Sequence, residues 1–534
     1  MKLITEVKVK NDYKERDVIS AVCKQTGLFA DEILEFEIVR KSLDARKKPN
    51  VITKLNVAVK VKDKAQNKLK KYNNIVVDHT GIEAVKANIK AKRPIVVGFG
   101  PAGMFAGLKL ASAGLNPIIL EQGKSVYERQ KDVDLFWTER KLNKYSNIQF
   151  GEGGAGTFSD GKLNSNVSNA YTKKCINELI INGAPKEIFY EFAPHIGSDN
   201  LKEVVVNIRK KIISLGGEVL FSTKFEGFKL ENDAISKVYA TSLDSGEKLE
   251  FETDALVLAV GHSAVETYKM LNENDCSLKQ KPFAMGVRIE VLQADINTAQ
   301  YGSNELRLPN ANYKLVEHLE SGRSVFTFCM CPGGYVVASS SEEGTVVTNG
   351  MSEYARDGEN ANSAVLVNVT PEDFGSSDPL AGVDFQHKYE RLAFELGGKN
   401  YNAPAEKVKD FLAGRTSGFD ENFEKVKPTY RPNITLADIS KCLPEFVTDS
   451  LKEALPKLNK KLKGFADDDN LLIGVESRSS APVQITRDDS GMSNIVGLFP
   501  AGEGSGYAGG ITSSAADGLI IAEKVVEFLK TKSL

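Results

Sequence analysis

No stretch of this 534-residue sequence approaches the roughly 18 to 20 consecutive apolar residues of a bilayer-spanning helix, and residues 1–17 lack the unbroken apolar run of a signal peptide. A cytoplasmic, soluble protein with no membrane partner is the expectation. Net charge is nearly absent as well. The 69 Lys+Arg against 71 Asp+Glu leave a formal charge of −2, which excludes a broad polyanion-binding surface and makes nucleic acid an unexpected partner. Cysteine is sparse: Cys23, Cys175, Cys276, Cys329, Cys331 and Cys442 include no C-x-x-C pair and no complete set of metal ligands. No metal is therefore expected, and the thiols read as reduced and structural. The pair Cys329 and Cys331 falls on an apparent strand, a poor geometry for a relaxed disulfide. Internal repeats and low-complexity segments are missing too.

What is there is a chain too long for one core, so two or three domains are expected in an α/β protein. Residues 1–90 read as a small ferredoxin-like α/β module, with a helix near 18–26, strands at 33–39 and 51–61, and a Lys-rich helix leading to a strand at 75–77. The positive cluster 41–48 between two of those strands reads as a solvated turn or as a loop that docks an anion. Residues 91–280 and 465–534 form a nucleotide fold that the chain leaves and re-enters. Residues 281–464 form a mixed, largely antiparallel substrate domain, in which the polar residues 349–363 read as a loop region between strands.

The strongest motif opens that nucleotide fold. Ile95, Val96 and Val97 precede Gly98, Gly100 and Gly103, and Pro101 and Ala102 lead into an amphipathic helix. Gly98 permits the tight turn, Gly100 lets the backbone approach a pyrophosphate, and Gly103 lets helix and strand pack, while the helix start offers unpaired N–H groups to phosphate. A second strand, 117–120, ends at Glu121, placed to accept from ribose hydroxyls and to disfavour a 2′-phosphate. FAD is preferred to NAD because a second Gly-rich strand-loop-helix lies near the carboxyl end, with Gly502, Glu503, Gly509, Gly510 and Ile511. A second Rossmann fingerprint is missing, so electrons are expected from transiently bound NAD(P)H or from the substrate itself.

These motifs make the sequence resemble FAD-dependent oxidoreductases of the glutathione-reductase-like nucleotide-binding superfamily, and more closely a bacterial family described as uncharacterised FAD-dependent dehydrogenases. The likeness runs over nearly the whole chain. It implies a Rossmann-type FAD-binding domain in which Glu503, standing where the superfamily has Asp, approaches the ribityl chain and pyrophosphate, with Gly509, Gly510 and Ile511 beside the isoalloxazine. It implies that the loop 150–163 wraps the cofactor, with Ser159 and Lys162 donating to the flavin or its phosphates. Gly261 takes a backbone role at the end of strand 255–260, the strand around Phe225 meets the adenine, and Arg129 either approaches the diphosphate or lies in solvent.

A flavin brings its own hydride acceptor, so the sequence need not supply a catalytic acid. Three residues are candidates nonetheless. His262 is either a proton donor near neutral pH or a satisfied structural histidine. Lys162 lies in the cofactor loop. Arg478 either clamps an anionic substrate or pairs with Glu476 or another acid. The expected function is an FAD-dependent dehydrogenase or reductase acting on a small molecule. An FAD-binding RNA-modifying or RNA-associated protein using the 41–48 loop, and a non-catalytic flavin-fold scaffold, are the alternatives.

Overall fold

The computed structural model describes residues 1–87, 89–163, 169–304 and 308–533. Short, wholly buried apolar runs make strands of a parallel sheet covered on both faces. Here Ile95–Val97, Ile118–Leu120, Leu256–Leu258 and Leu498–Pro500 are such runs, and Glu218–Leu220 completes the sheet at one edge. The spatial order is Leu498–Pro500, Leu256–Leu258, Ile95–Val97, Ile118–Leu120, Glu218–Leu220, with every pair parallel. Numbered along the chain within this sheet the order is 5-4-1-2-3, that of a Rossmann-type fold. Its direction reverses beside Ile95–Val97, which is where such sheets open a ligand crevice. Val96, Ile119, Val257 and Phe499 point to the face covered by the helices Pro101–Ser112, Ser198–Ser214 and Ile511–Lys532. Their neighbours Ile95, Val97, Leu256 and Leu258 point to the other face, covered by the antiparallel meander Thr223–Glu231, Ala234–Ser242 and Lys248–Glu252.

A second sheet of seven strands runs Val316–His318, Ser324–Cys331, Asn360–Val369, Phe283–Leu292, Leu471–Glu476, Ala403–Lys407, Ile434–Leu436, antiparallel except for the last pair. Helix Glu445–Lys461 buries Val447, Leu451, Ala454, Leu455 and Leu458 in the core shared with this sheet. The all-buried strand Leu471–Glu476 corrects the expectation that residue 465 begins the return to the nucleotide fold. It pairs with Phe283–Leu292, and the parallel sheet is regained at Leu498–Pro500. Residues 349–363 are likewise not all loop, since Thr348–Met351 and Asn360–Val369 are strands.

The amino-terminal module is an antiparallel sheet in the order Lys2–Val9, Ile52–Val61, Ile33–Asp44, with helix Glu15–Thr26 against it. The strand expected at 75–77 is shorter and earlier. The Leu3 N–H donates to Asn73 O at 2.9 Å and the Ile75 N–H to Met1 O at 3.0 Å, so a fourth edge segment lies beside Lys2–Val9. The resulting order, 4-1-3-2, is ferredoxin-like. The basic cluster is partly neutralised: Lys41 pairs with Glu191 beyond the module at 2.8 Å, and Arg46 pairs with Asp44 within the cluster at 2.6 Å.

One buried carboxyl in the seven-stranded sheet makes stability depend on pH. Glu406 accepts the Ile439 N–H at 2.9 Å through one oxygen, while the other is buried without a hydrogen-bond partner. Burial pushes this carboxyl up to about 8, against an ordinary 4.5, with Asp438 and Asp410 adding to the rise. The folded chain thus keeps a proton that the unfolded chain releases, and stability falls as pH climbs from about 4.5 to 8. Glu406→Gln cannot ionise. It is expected to match the wild type at pH 4.5 and to exceed it by roughly 2–4 kcal/mol at pH 9. Chemical melts at the two pH values check this, and a difference that does not change with pH contradicts it.

Candidate cofactor and active site

The turn after Ile95–Val97 is built by two glycines that exclude a side chain. Gly98 has φ +94°, and a Cβ there would lie 2.4 Å from Ala259 O; one on Gly103 would lie 1.9 Å from Gly98 O. Gly100 differs from both. Its φ of −75° suits any residue, and a Cβ there would meet only Gly154 Cα at 3.7 Å, because the position faces an open cleft. Gly100 is the N-cap of helix Pro101–Ser112, makes no side-chain cap, and has Pro101 at the first helical position. The first N–H groups of that helix therefore point outward without intrahelical acceptors.

A second helix begins at the same cleft. Gly510 is the N-cap of Ile511–Lys532, again with no side-chain cap, and a Cβ on Gly509 would have no atom within 4 Å. The turn before it is fixed by Asp517, whose carboxylate accepts the Gly502 N–H at 2.7 Å and pairs with both terminal nitrogens of Arg487 at 2.6 and 3.0 Å. Glu121, buried at the end of Ile118–Leu120, accepts the Phe99 N–H at 2.7 Å and the Gly123 N–H at 2.8 Å. Its remaining lone pairs are free to take hydroxyl donors.

Gly98, Gly100, Pro101, Ala102, Glu121, Ser159, Gly261, Glu503, Gly509, Gly510 and Ile511 line this one cleft, together with His262 and Arg478. Its empty space, open mouth included, is about 1270 Å³. Gly103 and Gly502 shape the two turns from behind. Ser159 donates to Gly156 O at 2.7 Å and accepts from the Gly161 N–H at 3.1 Å, so its hydroxyl orders the loop it stands on. Burial pushes the Glu503 carboxyl up to about 7, opposed by Lys281.

Several expected roles are corrected. Arg129 does not reach the cleft: its guanidinium is fully buried and donates to the carbonyls of Asn147, Ile148, Glu152 and Gly154 at 2.7–3.0 Å. Phe225 belongs to the core beneath the meander, and its strand pairs with Ala234–Ser242. Lys162 pairs with Asp160 of its own loop at 2.8 Å and turns away to the second domain, where it donates to Met330 O. Arg478 lines the cleft but is held by Glu390 in two bonds of 2.9 and 2.8 Å, and by Ser341 and Glu342. It is no free anion clamp, and its partner is not Glu476, which instead takes Arg288 bidentately at 2.9 and 2.7 Å. Burial, then the Arg478 charge, hold His262 down at about 4, so its imidazole is neutral near pH 7 and carries no acidic proton as imidazolium.

The opposite wall holds Gln149, Phe328, Ser339, Thr348, Asn349 and Ser479. Asn349 and Ser479 fall in the polar segments the sequence pointed to, whereas Gln149, Phe328, Ser339 and Thr348 carry no local motif; Phe328 is on the seven-stranded sheet, and Thr348 and Asn349 are on the separate pair Tyr335–Ala338 and Thr348–Met351. Among the described residues no group of three or more His, Cys, Asp or Glu is arranged to hold a metal ion, and no helix is long and apolar enough to cross a membrane.

Comparison with known proteins bears on the same residues. Residues 282–479 match the family described as FAD-dependent protein, C-terminal domain-like, and residues 1–60 match a domain of unknown function. An uncharacterized protein of Clostridium beijerinckii is 45% identical over 515 residues, covering 95% of each chain. This chain belongs to that protein's family. Among solved structures, Bacillus halodurans glycerol-3-phosphate dehydrogenase complexed with FAD is 13% identical at a TM-score of 0.35, covering 83% of this chain and 65% of its own. The E. coli quinol fumarate reductase FrdA is 11% identical at 0.37, covering 83% and 70%. Likenesses this shallow carry no functional weight.

Proposed function

We propose that this protein is an FAD-dependent oxidoreductase that exchanges hydride between FAD in this cleft and a small-molecule substrate. The observation that carries the reading is the convergence of two helix starts without side-chain caps, at Gly100 and Gly510, on one cleft whose lining glycines leave room for a ligand. Paired helix starts of this kind favour an anionic, phosphate-bearing ligand. Residues Gly100 to Ala102 would hold the diphosphate, Glu121 a ribose, and Glu503 with Gly509 to Ile511 the flavin end. When bound, FAD supplies two-electron redox chemistry, and the chain's part is to bind, orient and exclude water. Thr348, Asn349 and Ser339 offer polar contacts to the substrate across the cleft, and neutral His262 can serve as a hydrogen-bond partner.

Glu503 gives this reading a pH signature. If cofactor hydroxyls donate to its carboxylate, binding favours the ionised form and releases a proton whenever the free site is protonated. FAD affinity is expected to rise with pH up to about 7, the value in the free site, and to level off above it, while Glu503→Gln is flat. Fluorescence titrations from pH 5 to 9 measure this, and an affinity that falls over the range contradicts the assigned contact.

Anaerobic addition of NADH and then NADPH to the FAD-loaded protein tests the redox role. Bleaching by either identifies a pyridine nucleotide as donor. Bleaching by neither, and by no added reduced substrate, contradicts the oxidoreductase reading.

A further inference from the structure

The strand Ser324–Cys331 does not stay regular to its end. Phe328 faces Ala364 and Cys331 faces Asn362, so one extra residue is accommodated between them, and Cys329 carries φ +42°. A bulge of this kind re-aims side chains. It turns Cys329 toward the FAD cleft, which it lines, and brings the buried Cys331 thiol against it, with Cys331 Sγ 3.4 Å from Cys329 O. The alternation that argued against a working pair in a regular strand no longer applies.

Two cations close around the sulfurs. Arg288 donates to Cys329 O at 3.2 Å, and Lys162 donates to Met330 O, the carbonyl between the two cysteines. Lys162 is held there by Asp160 at 2.8 Å, and Asp160 in turn by Arg356 at 2.8 Å. Residue 350 has to be glycine: a Cβ there would lie 2.3 Å from Arg288 Nη1 and 2.9 Å from Cys331 Sγ. The hydrogen bond from Cys331, then the Lys162 and Arg288 charges, hold the Cys329 thiol below its ordinary range against the cost of burial, and Cys331 is pushed above it. A thiolate beside a protonated thiol is the resting form of an attacking and a resolving cysteine.

We propose that Cys329 and Cys331 are a redox-active dithiol–disulfide couple on the wall of the FAD cleft, with Cys329 the cleft-facing sulfur and Cys331 its resolving partner. In the oxidising direction one S–S bond forms between the Cys329 thiolate and the Cys331 thiol, and the Cys331 S–H bond breaks. Two electrons and that one proton leave the pair and pass to FAD, the two-electron acceptor. The reverse step returns them and reopens the S–S bond. The small ring closed by a C-x-C disulfide is strained, which keeps the couple readily reducible. This proposal rests on FAD occupying the cleft, so it extends the proposed function to a thiol or disulfide substrate class.

The experiment has two independent readouts. The purified full-length chain is treated with glutathione disulfide, digested without reduction and mapped by mass; a loss of two hydrogens in the peptide holding residues 329 and 331 is expected. FAD-loaded protein is then titrated anaerobically with dithionite. The oxidised wild type is expected to take four electrons per FAD, and Cys329→Ser and Cys331→Ser two each. Iodoacetamide labelling of reduced Cys329 against pH, expected to have its midpoint well below that of a free thiol and to rise in Lys162→Met, gives a check that does not use flavin. No 329–331 disulfide in the map, or two-electron uptake by FAD-loaded wild type after oxidation, overturns the proposal. A chain that forms the disulfide but binds no FAD overturns the exchange with FAD and identifies the cofactor reading as the point of failure.

Discussion

Gly100→Val is expected to fold and to lose FAD. The backbone there, φ −75° and ψ −175°, is extended and open to a β-branched residue, and the only atom near a new Cβ is Gly154 Cα at 3.7 Å. Loss of a glycine N-cap costs about 1 kcal/mol, too little to unfold a chain of this size. Valine's two methyl groups instead occupy the space a diphosphate needs in front of the first N–H groups of Pro101–Ser112. A decrease in affinity of at least about a hundredfold, about 2.7 kcal/mol, is expected by flavin titration, with the melting curve nearly unchanged. The neighbouring Gly103→Ala has the opposite profile, since its methyl would sit 1.9 Å from Gly98 O and must push helix and strand apart. Gly100→Val protein that binds FAD like the wild type would show that nothing approaches this backbone.

Arg129→Ala is expected to lower stability by about 3–5 kcal/mol whether or not FAD is present. Burial brings the guanidinium down only to about 10, so it stays charged at neutral pH. Its three nitrogens serve four carbonyls between Asn147 and Gly154, it stacks 4.8 Å from the centre of the Phe158 ring, and Gly151, at φ +127°, lies against its aliphatic stem. Removing it takes the donor from the Asn147 and Ile148 carbonyls, leaves Glu152 O to Thr157 Oγ1 alone at 3.2 Å, and opens a cavity beneath the loop that forms one cleft wall. Flavin binding should weaken in parallel, as a consequence of the loosened loop. Lysine cannot replace the fork of donors, so Arg129→Lys is expected to recover little. Urea melts of the flavin-free protein decide the matter: unchanged stability there would contradict the structural role.

How far the sequence carried the reading depended on the distance between a residue and its partners. The roles of Gly103 and Glu121 were legible because their partners, Gly98 O and the Phe99 and Gly123 N–H groups, lie within about 25 residues, whereas Gly98 also packs against Ala259 O and Gly100 against Gly154. Arg478 was not, because its acid, Glu390, is 88 residues away on the helix Ala381–Leu396, while the nearer Glu476 is taken by Arg288. Residues 471–476 were placed with the nucleotide fold because a six-residue apolar run does not say which strand is its neighbour; they pair with Phe283–Leu292 instead. Cys329 and Cys331 were read as a regular strand, since a non-glycine residue at positive φ leaves no mark in composition or periodicity. Of the opposite wall, Phe328 is placed by pairing with the strand Asn360–Val369, and Thr348 and Asn349 by the local pair with Tyr335–Ala338, neither of which carries a motif.

The central claim is that the cleft holds FAD, and the visible absorption spectrum of the purified protein after incubation with FAD and removal of the free cofactor tests it most directly. The account expects the two-banded spectrum of an oxidised flavin at about one FAD per chain in the wild type, and none in Gly100→Val. A folded wild-type protein that retains no flavin would contradict it.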